Sequence, residues 1–198
     1  LKAPDDGDSF VRINTLKILD GIFNLVSDQN LVVNSLEVAP SGGDMRHVLD
    51  LTVNGSAILG GTISTIGSQT YNGSVVINSD VTINTQNNAA ITFNSSIDDN
   101  ADGLHSLTLY SSLTSSGLST INGEVGAIHP LKSFTVNSPS SLGGSINTKG
   151  NQTYNGNITL MADTNFNTVT GNITINGNVL GDAFYPGVIS FLGGGYYG

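Results

Sequence analysis

The 198-residue sequence contains no cysteine, which excludes a disulfide framework and thiolate metal sites without assigning a compartment. Charge is scarce: Asp, Glu, Lys and Arg make up 11% of the chain, against about a quarter in ordinary globular domains. Cations are scarcer still. Six Lys and Arg against 15 Asp and Glu leave a formal net charge of −9. Such a chain offers little to a phosphate backbone or to an anionic lipid surface, so neither nucleic acid nor membrane is expected as a partner. No stretch approaches the ~20 consecutive apolar residues that span a bilayer. The opening LKAPDDGD is acidic and polar rather than a secretory leader, so an exported protein is expected here as a processed form or an excised fragment.

What replaces charge is Asn, Ser, Thr and Gly. Disorder pairs low hydrophobicity with high net charge, and here charged residues are few. Val, Ile and Thr suit strands, and Asn and Gly suit turns. Only Thr15 to Val26 offers a helix candidate, weakened by Gly21 and Asn24.

The chain nearly repeats itself. GSQTYNGSVVINSDVTINT starts at Gly67 and GNQTYNGNITLMADTNFNT at Gly150, an offset of 83 (150 − 67). The same offset aligns Leu51–Asn54 with Phe134–Asn137, and it pairs Val75 with Ile158, Ile77 with Leu160 and Ile83 with Phe166. At an offset of 82, Ile91–Asn94 aligns with Ile173–Asn176. Within this long repeat a shorter one, Thr-apolar-Asn-small, recurs at Thr52, Thr70, Thr92, Thr120, Thr153 and Thr174. Weaker copies at Thr108 and Thr135 are read as filling the two widest gaps. Each unit reads as a short strand followed by a turn, with Asn-Gly tolerating positive φ. Period-two alternation puts Val75, Ile77, Ile83, Ile91, Phe93, Ile158, Leu160, Phe166, Ile173 and Ile175 on an inner face.

A solenoid has reason to repeat, because each coil stacks on an equivalent one. The expected fold is therefore all-β, a right-handed parallel β-helix with short coils, with a β-sandwich as the alternative. A repeat of this length fits three coils of ~28 or, preferably, four of ~21. Matching Asn positions are expected to form hydrogen-bonded ladders. Residues 1–45 are read as N-terminal coils or a cap, 46–179 as the repeat body, and 180–198 as a C-terminal edge strand or tail.

The block GGTISTIGSQTYNGSVVINSDVTINT, followed by ITFNSSI, LHSLTLYSS and GEVGAIHPLKSFTV (Gly123 to Val136), resembles the repeats of very large bacterial surface proteins of the filamentous-haemagglutinin type. The resemblance spans roughly residues 51–179. It implies a right-handed β-helix, export across the outer membrane, and service as an adhesin, a stalk or a biofilm component. The partners so implied are a host, glycan or matrix surface.

Other chemistry is sparse. Asp98, Asn100 and Asp102 form the D-x-N-x-D-G start of a calcium loop, in which alternating oxygens wrap a hard cation. The twelfth position is Leu109, so an EF-hand is out, and the competing reading is an acidic solvated loop. The acidic run at residues 5–8 is read the same way. The three histidines, His47, His105 and His129, all sit in His-x-Leu. They are read as strand-opening turn positions rather than as a metal site, which needs converging ligands. Parallel β-helices can host polysaccharide lyases and hydrolases with clustered carboxylates. Here the acids are scattered, and Arg12, Arg46, Lys132 and Lys149 share no local motif, so no enzyme is expected and no catalytic residue is assigned. Six sequons, at Asn54, Asn72, Asn94, Asn151, Asn157 and Asn172, are expected by chance in so Asn- and Thr-rich a chain. The uncharged end VISFLGGGYYG reads as a last coil with a tail. The alternative is an edge that docks on the N-terminal coil of another copy to build a fibre, since a head-to-tail contact does not close.

Overall fold

A computed structural model describes residues 10–40, 42–111, 117–181 and 188–192. The acidic run at residues 5–8 and the tail at 193–198 lie outside the described residues. Every regular element described is a strand, from Phe10–Ile18 to Ile189–Leu192. All the strand pairs are parallel. The chain winds as a β-solenoid of about 8 turns.

Each coil passes three faces. The first carries, in axial order, Val11, Leu31, Leu51, Gln69, Ile91, Ser119, Ser140, Ile158 and Val179 as register partners. Coils along this column are unequal, the two shortest running from Leu51 to Gln69 and from Ser140 to Ile158, and the longest from Ile91 to Ser119. The second face stacks Leu36, Ala57, Val75, Ile97, Val125, Ile146 and Phe166. The third stacks Ile63, Ile83, Leu109, Val136, Tyr154 and Ile175.

Why these residues make such strands is plain from their burial. Val75–Thr85 and Ser106–Ser111 alternate buried and half-buried side chains along most of their length, as period two requires. The inward residues form one continuous apolar interior. Ile77, Ile83, Ile91, Ile158 and Phe166 are completely buried, and Val75, Phe93 and Leu160 nearly so. Ile173 and Ile175, near the C-terminal end, are only partly buried and pack against the core. Aromatic rings stack along the axis: Tyr71 on Phe93 in the interior at 4.9 Å, and buried Phe166 on the exposed Phe191 at 5.5 Å between centroids.

Three expectations need correction. The segment Thr15 to Val26 is not helical. It belongs to the strands Phe10–Ile18 and Gly21–Val38, and Gly21, the first residue of the second, takes φ +74°, a conformation open to glycine and strained for other residues. Second, the long repeat is neither three coils nor four. Gln69 lies on the first face and Gln152 on the third, so the interval is three coils and two faces. Third, Thr108 and Thr135 fill no gap in the first-face series. They stack on the third face with Thr82, Thr153 and Thr174, whereas Thr52, Thr70, Thr92 and Thr120 stack on the first.

The strands Phe10–Ile18 and Gly21–Val38 belong to the solenoid's stacked coils. Val11 pairs with Leu31 and Leu31 with Leu51 in parallel register. At the other end Val179–Gly181 and Ile189–Leu192 pair with the coil before them.

Candidate functional site

The chain's distinctive chemistry lies at its corners. At Gln69 the side chain is buried and its amide Nε2 donates to the carbonyls of Ile63 (3.3 Å) and Asn84 (2.8 Å). The Tyr71 hydroxyl donates to Gln69 Oε1 at 2.7 Å. Thr65 Oγ1 closes the turn on Gly67 O at 2.7 Å. The Gln152 corner repeats this bond for bond: Nε2 to Ile146 O (3.2 Å) and Asn167 O (2.8 Å), Tyr154 Oη to Gln152 Oε1 (3.1 Å), and Thr148 Oγ1 to Gly150 O (2.6 Å). A buried amide must find partners, and this one ties two successive coils together. Burial pushes both tyrosine hydroxyls well above their ordinary pKa, so they stay protonated donors.

The next turn, Asn-Gly, is equally constrained. A Cβ on Gly73 would run into the Gly55 backbone, and one on Gly156 into Ser138 and Pro139. The asparagines beside these glycines form the expected ladders. Asn72 donates to Asn54, Asn94 to Asn72 and Asn122 to Asn94, at 2.7–3.2 Å. A second ladder, Asn176 to Asn155 to Asn137 at 2.7 Å per step, follows the third face. The sequons at Asn72 and Asn94 are thus ladder steps whose Nδ2 is already a donor.

The calcium-like segment sits on the coil that starts at Ile91. Asp98 is buried, and its Oδ1 accepts from the backbone of Ile128 (2.9 Å) and His129 (3.4 Å). Asn100 is exposed. Asp102 is exposed, and its Oδ1 lies 2.7 Å from His129 Nδ1. That hydrogen bond, and the nearby Lys149 ammonium, hold the Asp102 carboxyl below its ordinary pKa. The structure therefore brings Asp98 and Asp102 together around His129, and it leaves the Asn100 side chain at the surface. Among the described residues, no three of His, Asp and Glu group as a metal site.

The residue that organises this loop is one the motif passes over. Asp99 is fully buried and accepts from Leu104 N (2.9 Å), His105 N (2.8 Å) and the His105 ring (2.7 Å). Its signal in the sequence was its place in the strand Ile97–Asp99, where a carboxylate needs donors. All three histidines share this pairing, since His47 Nδ1 lies 2.7 Å from Asp28 Oδ1. His105 does open a strand, but His47 lies inside Gly42–Val53 with φ +60° and His129 precedes the single bridge at Leu131.

Both ends expose apolar side chains. In the first coil Val11, Leu16 and Ile18 are buried, whereas Leu19, Ile22 and Val26 are exposed. At the C-terminal end Leu180, Val188, Ile189, Phe191 and Leu192 are exposed. In comparison with known proteins, no family model matches the chain, and no curated protein and no solved structure matches it either.

Proposed function

We propose that this chain is an extracellular structural and adhesive module, a β-solenoid segment of a bacterial surface protein of the filamentous-haemagglutinin type. It serves adhesion, a stalk or a biofilm matrix, and it is not an enzyme. The observation that carries this reading is the union of a continuous apolar interior with lateral faces of Thr and hydrogen-bonded Asn. Stacked backbone bonds and side-chain ladders suit a stiff rod that presents a neutral, multivalent surface. The carboxylates nearest to a cluster, Asp98, Asp99 and Asp102, already accept from backbone amides or histidine, a structural use rather than a pair left open for acid–base work. A host, glycan or matrix surface is the proposed partner.

The exposed apolar side chains of the last described coil favour a second reading, a fibre subunit stacking on other copies end to end. Electron microscopy of purified protein, with and without calcium, separates the two. Short single rods that adhere to glycan- or matrix-coated surfaces support the adhesive module. Rods many domains long support the fibre. Particles of neither kind, with no adhesion, overturn both.

A further inference from the structure

A groove of about 470 Å³ crosses three consecutive coils where the chain enters the third face. Its polar lining comes from Lys132, Ser133, Thr135, Asn151, Thr153 and Thr170. Its floor is bare main chain at Gly150 and Gly171. Neither position can carry a side chain without a shift, because a Cβ on Gly150 would meet the Lys132 carbonyl and one on Gly171 would meet the Gly150–Asn151 backbone. Thr135 and Thr153 are stacked register partners that look outward. Lys132 is exposed and makes no ion pair among the described residues. In a chain of net charge −9, this places an ammonium beside a row of hydroxyls.

The molecule contains its own control. The equivalent corner one long repeat earlier has the same backbone: Gly67 N donates to Leu49 O at 2.7 Å, as Gly150 N donates to Lys132 O at 2.8 Å. Thr52 and Thr70 stack there as Thr135 and Thr153 do here. The side chains differ where it matters for charge. Leu49 stands in place of Lys132, and Asp50 in place of Ser133, with Asp50 Oδ1 accepting from Ser68 N at 2.6 Å. The turn backbone recurs, with Ala89 where the second corner has Gly171, and the sign inverts, so a ligand that needs a cation fits the second corner and is repelled at the first.

We propose that the Lys132 groove binds a carboxylate-bearing saccharide. Lys132 pairs with the carboxylate. The Thr135 and Thr153 hydroxyls and the Asn151 amide meet sugar hydroxyls, being donors and acceptors alike, and the glycine floor lets a ring lie flat. Three coils span roughly 10 Å, room for about two sugar rings. An acidic peptide is the poorer fit. The strand Ser133–Val136 is paired on both sides, which leaves no edge for backbone addition. This gives the adhesive reading a ligand class and rests on it.

The test is a ¹H–¹⁵N titration of the whole chain with trigalacturonate, neutral maltotriose and triglutamate. Trigalacturonate should shift amides at 132–135, 150–153 and 170–171, saturating at about 1 mM. Lys132→Gln, an exposed change that leaves the fold intact, should weaken binding about fivefold, since exposed charge pairs are modest. Lys17→Gln should have no effect. Leu49→Lys with Asp50→Ser should create a second set of shifts at 67–70. Equal shifts from maltotriose or from triglutamate, or an undiminished response in Lys132→Gln, overturn the proposal. Adhesion assays judge the wider reading separately. A chain that binds trigalacturonate yet adheres to nothing keeps the groove and loses the module.

Discussion

The two copies of the long repeat are the same chemistry on different faces. In the first, Gln69 on the first face ties its corner to Ile63 and Asn84; in the second, Gln152 on the third face ties its corner to Ile146 and Asn167. Had the repeat been a whole number of coils, the copies would stack. They do not, so what recurs is a local solution to turning a corner, usable on more than one face because the corners join similar short strands. The copies also differ in setting. The first lies mid-rod, with coils on both sides, and the second runs into the exposed end, where Ile173 and Ile175 are only partly buried.

The largest effect tests that difference of setting. Ile77→Asp puts a charge without a partner into the closed interior. It should cost about 4 kcal/mol or more and abolish cooperative melting. Ile175→Asp, at the open end, should cost less than half as much by the same thermal scan. Equal losses would mean that the end is as closed as the middle.

Next come the corners. Gln69→Leu and Gln152→Leu each orphan two carbonyls and a tyrosine hydroxyl, so each should cost about 2–3 kcal/mol in urea unfolding. If the corner is a local unit, the two values agree within about 1 kcal/mol. A large loss at one and none at the other would break the equivalence.

The ladders come third. Asn94 both donates and accepts, while Asn176 is seen only to donate. Asn94→Ala should lower stability by about 1 kcal/mol and Asn176→Ala by about half that.

Smallest is the acid response. The folded-state pKa of Asp102 is depressed by its His129 hydrogen bond. Its stabilisation is therefore present above the unfolded pKa and lost as pH falls through the folded value. Between about pH 5 and pH 2 the melting temperature of the native chain should fall more steeply than that of Asp102→Asn. Parallel curves would show that the bond contributes nothing.

Much of this fold was legible in the sequence, because alternation and turn residues are local signals. Eight of the ten residues read as inward are buried, and the two exceptions, Ile173 and Ile175, lie where no described coil covers their face. Face assignment was not legible. The stretch from Thr120 to Thr153 reads as two units stepping through Thr135, yet Thr120 stacks on Ser141, and Thr135 and Thr153 belong to another face. A motif that works on more than one face carries no face label. The acidic loop was read by its cation-loop spacing, whereas the strand geometry of Ile97–Asp99 made Asp99 the buried centre. The Lys132 groove is assembled from three coils, so no single stretch of sequence displays it.

The central claim is that the repeat shifts by a face, and cross-linking tests it most directly in a chain with no cysteine of its own. Thr120→Cys with Ser141→Cys places thiols on register partners, within the Cα separation of about 4.4–6.8 Å that a disulfide spans. Thr120→Cys with Thr153→Cys places them on different faces. Rapid oxidation of the first pair and none of the second is the expected result. A disulfide between positions 120 and 153, with none between 120 and 141, would contradict it.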